Sequence, residues 1–153
     1  MSSGPVGPGA AVSPGRVLGV DLGSRRIGLA LSDPGRHIAS PLHVLQRAKL
    51  QVDDHRSIVA VARENEAVVI VVGLPISLSG DLGPAARSTL EEIDALRRTA
   101  GPDLAVEPYD ERLTTVSAER SLNEARMGRE ARRRVVDKVA AAVMLQAWLE
   151  AHA

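Results

Sequence analysis

Residues 16–32 read RVLGVDLGSRRIGLALS, and this stretch decides the fold. Two apolar runs, at 16–22 and 27–32, flank Gly23–Arg26, a spacing typical of two antiparallel strands joined by a turn. Asp21 interrupts the first run. Because an acid in an otherwise apolar strand is costly to bury unless something binds it, Asp21 is the first candidate functional residue.

The chain after this hairpin alternates between strand and helix patterns. We predict strands at Leu42–Leu45, Ala67–Val72 and Leu104–Tyr109, and helices at Asp53–Asn65, Pro84–Ala100, from a cap at Thr114 or Thr115 to about Ala125, and at Asp137–Ala151. This order predicts an α/β fold, a mixed β-sheet with helices on both faces. We expect a flexible, Gly- and Pro-containing extension at residues 1–15 and a single domain at 16–153.

Composition excludes several classes of function. The 153 residues include no Cys and no Phe, with one Tyr and one Trp. Without cysteine there is no disulfide framework, zinc–thiolate site or thiol nucleophile, and with so few aromatic rings a base-stacking platform is not expected. The first fifteen residues lack the apolar region of a signal peptide, and no run is long enough to span a bilayer. We therefore expect a cytoplasmic protein with no membrane partner.

Charge is distributed unevenly, although the net charge is zero. Residues 1–50 carry six basic and two acidic side chains, 51–110 carry five and eleven, and 111–153 carry eight and six. If folding joins the two ends, a basic surface would lie beside an acidic site, as a nuclease needs. The alternative is that the arginines of residues 126–134 form a solvated face.

Three groups of carboxylates occupy positions suited to one site. Asp21 lies near the end of the first strand, and Asp110 and Glu111 follow another strand at the end where α/β sheets place their ligands. Asp137 begins the last helix, in the same helical row as the apolar Ala141, so it should face the sheet. Separated carboxylates that converge on one sheet edge would repel each other unless a cation lay between them.

The ligand types favour a hard cation. Oxygen ligands without Cys suit Mg²⁺ or Mn²⁺ and not zinc. Two such ions about 4 Å apart can activate water and stabilise the leaving oxygen in phosphodiester cleavage. Taken singly, Asp21 can be a turn former, Asp110 a strand-end cap and Asp137 a helix N-cap. Taken together, we interpret Asp21, Asp110, Glu111 and Asp137 as the metal ligands of a nuclease.

Four sequence blocks carry a family resemblance: GVDLGSRRIGLALSD at 19–33, VVGLP at 71–75, DERLTT at 110–115 and DKVAAAVMLQAWLE at 137–150. On these blocks the chain resembles the YqgF/RuvX family. That family has a ribonuclease H-like fold and includes proteins assigned as pre-16S rRNA nucleases and Holliday junction resolvases. The resemblance implies a hydrolase of this fold, with Asp21, Glu111 and Asp137 as its catalytic acids.

The resemblance leaves one choice open and suggests further contacts. Neighbouring strand residues face opposite ways, so only one of Asp110 and Glu111 should enter the site, and we favour Glu111. Arg112 is placed to meet a phosphate or, alternatively, to form a surface ion pair. The full set of predicted substrate-binding residues is Gly23, Ser24, Arg25, Arg112, Thr114, Arg132, Arg133 and Arg134. The loop after VVGLP reads ISLSGD and departs from the family pattern.

The resemblance implies nucleic acid as the partner. We expect 5′-end processing of pre-16S rRNA, with cleavage of branched DNA as the alternative. Few rings and clustered arginines fit recognition of the backbone and shape of structured RNA or DNA. Resolving a four-way junction requires two sites related by a two-fold axis, so the alternative implies a homodimer.

Two readings from other classes remain open. The Asp-Leu-Gly hairpin also resembles the phosphate loop of the actin, Hsp70 and sugar-kinase superfamily, whose members clamp ATP between two such halves; this chain supplies one. A non-catalytic nucleic-acid-binding protein of the same fold is the other reading, and the filled acidic positions weigh against it.

Overall fold

Five strands and three α-helices make up the part of the chain that the structure, a computed structural model, describes: residues 13–77, 79–113 and 129–153, with side chains from Lys138 onward in the last range. In chain order the elements are β1 (Arg16–Leu22), β2 (Arg26–Ser32), β3 (Ala39–Gln46), α1 (Gln51–Glu64), β4 (Ala67–Leu74), α2 (Pro84–Ala100), β5 (Ala105–Asp110), a 3-10 helix (Glu111–Leu113) and α3 (Arg129–Ala151).

The strands form one mixed sheet in the order β3-β2-β1-β4-β5. β1 pairs antiparallel with β2, and β2 with β3, while β4 and β5 add in parallel on the other side of β1. The predicted hairpin and mixed sheet are therefore confirmed. We call the edge where the parallel strands β1, β4 and β5 end the carboxyl edge, and the edge where they begin the amino edge.

Helices cover both faces of the sheet, as predicted. Alternate β-branched and Leu side chains of the central strands point to opposite faces, which suits strands buried on both sides. On one face α1 and α2 pack over Leu18, Val20 and Ile70. On the other, α3 packs over Val17, Ala30 and Val71.

α3 lies very close to β1 because β1 has a glycine at the crossing. A Cβ on Gly19 would lie 2.9 Å from Leu145 Cβ and 3.2 Å from the Ala141 carbonyl oxygen. Farther along the helix, Trp148 lies under Arg36, whose Nε donates to the Gly15 carbonyl at the amino edge. α3 thus runs antiparallel to β1, and its N-terminal half is directed toward the carboxyl edge.

Two predicted boundaries were wrong. α3 begins at Arg129 and not at Asp137, because the preceding Arg, Glu and Ala residues are strong helix formers and continue the helix upstream. Asp137 is therefore an interior helical residue and not an N-cap. β3 spans eight residues where four were predicted.

The helix predicted from Thr114 or Thr115 to Ala125 lies outside the described residues. Within the ranges that are described, no helix has the length and apolar character to cross a membrane.

Candidate active site

Asp21 lies on β1 next to the carboxyl edge, opposite Gly28 of β2. Side chains alternate along a strand, and Val17 contributes to the core under α3 while Val20 contributes to the core under α1 and α2. Alternation therefore assigns Asp21 to the α3 face. It stands two residues, about 6.6 Å, beyond the point where α3 crosses Gly19, and it is only partly exposed.

Glu111 lies directly over the neighbouring strand, at a position that only glycine leaves open. A Cβ on Gly73 would lie 2.7 Å from Glu111 Oε1 and 3.2 Å from its Cγ. The pairing of Val20 with Val72 carries forward to Asp21 and Gly73, whose backbones are neighbours at about 4.8 Å. The Glu111 carboxylate and the backbone of Asp21, which are distant in sequence, thus lie at neighbouring strands of the carboxyl edge.

Asp110 ends β5 and is bound by Arg112. The Arg112 side chain donates from Nη2 to Asp110 Oδ2 at 2.7 Å and from Nε to both carboxylate oxygens at 3.0 and 3.1 Å. Its backbone N–H donates to Asp110 Oδ1 at 2.9 Å. These bonds from Arg112 lower the pKa of Asp110 below its ordinary value and keep it ionised. The arrangement supports our preference for Glu111 as the site ligand, which stays a prediction.

Arg112 links β5 to the loop after β4. It forms the ion pair foreseen as one of its two alternatives, and a Cβ on Gly80 would lie 3.4 Å from its Nη1. In that loop Ser77 and Ser79 hydrogen bond each other at 2.9 Å, and both bond Asp81. The phosphate contact predicted for Arg112 stays a prediction.

Asp137 is placed by its helix backbone. It precedes Ala141 by one turn on α3, on the side of the Gly19 crossing that leads to the carboxyl edge. The helix continues from Asp137 back to Arg129 for about 12 Å, and this segment carries Arg132–Arg134. The side chains of Asp137 and of these arginines, and all of Thr114, lie outside the described residues.

The turn that joins β1 to β2 places Gly23, Ser24 and Arg25 beside Asp21. Gly23 donates to the Arg26 carbonyl at 3.0 Å, and a Cβ on Gly23 would lie 2.5 Å from that oxygen, so the turn requires glycine. Ser24 and Arg25 are exposed. The structure thus brings the predicted turn residues to the same edge as Asp21 and Glu111.

Sequence reasoning missed a buried charged cluster behind this turn. Arg47, just after β3, binds Glu92 of α2 and Asp54 of α1, and Glu92 also contacts His55. Burial alone raises the pKa of Glu92, but hydrogen bonds from Arg47 and His55 outweigh it and hold that pKa below its ordinary value. One sequence signal was present: His55 shares a helical row with Ile58, Val59 and Ala62, positions that form the inner face of α1.

The donor set fits a hard divalent cation. The carboxylates of Asp21 and Glu111 stand on one face of one edge, and the missing Cβ of Gly73 makes the space that the Glu111 carboxylate fills. Among the side chains that the structure describes, no three acidic, His or Cys residues form a metal-binding group. Asp137, the third predicted ligand, is not part of that set.

Comparison with solved structures identifies the fold class of the chain. A T. thermophilus RuvC structure, described as in complex with a Holliday junction substrate, superposes with a TM-score of 0.56 at 18% identity and covers 90% of this chain and 94% of that one. A second Thermus thermophilus RuvC structure gives 0.55 at 16% identity, covering 90% and 95%. The predicted ribonuclease H-like fold is thereby confirmed.

Sequence comparison gives the family. The RuvX model, described as Holliday junction resolvase, matches residues 15–151, so the chain belongs to the RuvX family of nucleases. A Mycobacterium sp. (strain KMS) protein is 43% identical, over 89% of this chain and 80% of its own length. A Roseiflexus sp. (strain RS-1) protein is 42% identical, over 90% and 95%. Both carry the name "Putative pre-16S rRNA nuclease".

Proposed function

We propose that this chain is a divalent-metal-dependent endonuclease of structured nucleic acid, and that it processes the 5′ end of pre-16S rRNA in the cytoplasm. The observation that carries the proposal is the position of the Glu111 carboxylate over Gly73, beside Asp21 on the α3 face of the carboxyl edge. The names of the relatives support the rRNA substrate.

The proposed metal ligands are Asp21, Glu111 and Asp137. Mg²⁺ or Mn²⁺ held there would supply charge neutralisation and a bound water of lowered pKa for phosphodiester hydrolysis. Asp21 lies on β1, Glu111 follows β5 and reaches over Gly73 of β4, and Asp137 would approach from α3 above them. A cation between them would offset the mutual repulsion that otherwise opposes three ionised carboxylates in one place.

The chain's other residues would bind and orient the nucleic acid. The Gly23–Arg25 turn, in which Ser24 and Arg25 are exposed, offers a hydroxyl group and a cation beside Asp21. Arg112, Thr114 and Arg132–Arg134 would contact phosphates around the same edge, which fixes the register of the substrate without reading its bases. Hydrolysis then adds water to the phosphorus and breaks its bond to the leaving oxygen.

Cleavage of four-way junction DNA is the second candidate. The description of the matching family model favours it. It would require a homodimer that presents two sites related by a two-fold axis. Sedimentation of the protein alone and with junction DNA tests for that dimer.

One assay decides between the substrates and tests the metal. Parent protein, Asp21→Asn and Asp33→Asn are incubated with precursor rRNA fragments and with junction DNA, each with Mg²⁺, Mn²⁺ or chelator. Asp33 is the matched control, because it is an acid at the amino edge that binds backbone N–H groups.

We expect cleavage by the parent and by Asp33→Asn only with metal, and none by Asp21→Asn, which should bind the substrate as well or better. Equal cutting by Asp21→Asn, or activity that persists in chelator, would refute the proposed site. Preferred cutting of the junction would replace the rRNA substrate with the second candidate.

A further inference from the structure

The buried cluster around Arg47 is unusual for its charge. Asp54, His55 and Glu92 are 4%, 1% and 6% exposed, and the Arg47 side chain is 18% exposed. Arg47 Nη1 and Nη2 donate to the two Glu92 oxygens at 2.6 and 2.9 Å, and Nη1 also donates to Asp54 Oδ2 at 3.1 Å.

The acids of the cluster have contacts of their own. Asp54 Oδ1 accepts from the backbone N–H of Ala48 at 2.7 Å. His55 Nε2 lies 2.9 Å from Glu92 Oε2; a carboxylate can only accept there, so Nε2 carries the proton. One guanidinium group therefore joins the segment after β3 to both α1 and α2.

The Nε donor of Arg47 points out of the cluster to the β1–β2 turn. Its Nε donates to the Gly23 carbonyl oxygen at 2.9 Å, and its backbone N–H donates to the Arg25 carbonyl at 2.9 Å. The two bonds hold both ends of Gly23–Arg25. This turn directly follows Asp21 at the carboxyl edge.

Such a cluster is a poor means of stabilising the fold. Replacing a buried ion pair by apolar residues of similar volume is often neutral or stabilising, because desolvation offsets the Coulombic attraction. What a guanidinium group offers instead is a rigid planar set of donors that fixes direction. Arg47 thereby restrains the conformation of a turn in which Ser24 and Arg25 are exposed.

We propose that Arg47, fixed by Glu92 and Asp54, is a positioning residue that holds the Gly23–Arg25 turn in the conformation that binds substrate phosphate beside Asp21. This inference rests on the proposed function. It assigns a role in that function to side chains that do not touch the substrate and that lie on the opposite face of the sheet from α3.

Arg47→Lys is the main test variant. A lysine keeps the positive charge, but its single nitrogen cannot bind Glu92 in a fork and the Gly23 carbonyl at once. We expect KM for nucleic acid to rise on the order of tenfold, the loss typical of one hydrogen bond from a charged donor, while kcat stays nearly unchanged. Glu92→Gln, which keeps the side-chain shape, is the second variant and should give a smaller rise in KM.

Arg63→Lys is the matched control. Arg63 also donates to a carboxylate from two nitrogens, at 3.1 and 3.2 Å from the Asp103 oxygens. It donates to the Ala100 carbonyl oxygen at 2.7 Å as well. It joins α1 to the segment between α2 and β5 and makes no contact with the turn. The Arg63 side chain is more exposed than that of Arg47, 48% against 18%, and its substitution, which removes a comparable set of hydrogen bonds, should leave KM unchanged.

Two further measurements separate positioning from general destabilisation. In an Arg25→Ala background, Arg47→Lys should raise KM no further, because both changes act through the same turn. Amide hydrogen exchange of residues 22–26 should be faster in Arg47→Lys than in the parent and unchanged in Arg63→Lys. Exchange reports on the turn whether or not the protein cleaves, so an inactive parent refutes the proposed function while the turn is still tested.

Two results together support the inference: exchange at the turn is faster in Arg47→Lys, and Arg47→Lys raises KM in the parent but not in the Arg25→Ala background. Parent-like exchange and KM in both Arg47→Lys and Glu92→Gln overturn it. So does a rise in KM that simply adds to that of Arg25→Ala, or that Arg63→Lys reproduces.

Discussion

At the amino edge of the sheet, charged side chains bind the main chain. Arg36 donates to the carbonyls of Gly15 and Pro14 at 2.8 and 3.1 Å, and Asp33 Oδ1 accepts the backbone N–H groups of His37 and Ile38, both at 2.7 Å. At the carboxyl edge, the Glu111 carboxylate lies instead over a glycine backbone and beside another acid-bearing strand.

The two edges hold their acids in different ways. Acids at the amino edge are held by N–H groups of their own loop, which stabilises the ionised form locally. Acids at the carboxyl edge come from separate segments and are brought together by parallel strand order, which follows from the β-α units. We propose that a divalent cation binds at the second arrangement, where it would offset the repulsion between the acids.

The largest effect is expected for the loss of the Glu111 carboxylate, and its neighbour Asp110 provides the comparison. Glu111→Gln should reduce cleavage on the order of a thousandfold, through loss of a metal ligand. Asp110→Asn should keep activity within about tenfold, because it weakens only the partly exposed pair with Arg112. Single-turnover rates of both variants with Mg²⁺ measure the contrast, and the reverse order would make Asp110 the ligand.

A methyl group on Gly73 should have the second largest effect. Gly73→Ala places a Cβ 2.7 Å from Glu111 Oε1 and must displace that carboxylate; we expect a loss of roughly 10–100-fold in cleavage, as for other groups that orient metal ligands. Gly83→Ala is the control, since its Cβ meets nothing within 4 Å. Equal rates for both variants would remove Glu111 from the site.

The basic segment of α3 should affect binding more than catalysis. Replacing Arg132, Arg133 and Arg134 by Ala should weaken nucleic-acid binding. The slope of log K against log salt should fall in magnitude by about two, because fewer counterions are released on binding. The control replaces three exposed arginines of α1 and α2, Arg56, Arg87 and Arg98. An unchanged slope in the first variant would favour the solvated-face interpretation.

The smallest effect belongs to the amino edge. Backbone hydrogen bonds, first that from Ile38, lower the pKa of Asp33 from 3.8 to about 2. Because the folded pKa lies below the unfolded one, Asp33 stabilises the fold above pH 3.8 and loses that contribution as the pH falls toward 2. In acid titrations followed by circular dichroism, Asp33→Asn should show a shallower loss of stability in this window and unchanged cleavage at neutral pH.

Much of the fold was predictable because strands and helices have distinct apolar periods. The hairpin, the buried strand β4 and helices α1 and α2 followed from local pattern and flanking Gly and Pro. The start of α3 did not, because an arginine-rich segment has no apolar row yet has high helix propensity.

The site was less predictable, and the reasons are local. The choice between Asp110 and Glu111 rested on strand alternation, but the strand ends at Asp110 and a 3-10 helix begins at Glu111. Alternation therefore does not govern the direction of the Glu111 side chain. The contacts of Arg47 join segments distant in sequence, and no local period encodes such a meeting.

The central claim is that Asp21, Glu111 and Asp137 share divalent ions at the carboxyl edge. Titration with Mn²⁺, with free ion followed by electron paramagnetic resonance, measures this directly in the parent, Asp21→Asn, Glu111→Gln, Asp137→Asn and the control Asp33→Asn. We predict saturable binding in the parent and the control, and affinity at least about tenfold weaker in each of the three site variants. Parent-like Mn²⁺ affinity in all three would contradict the account.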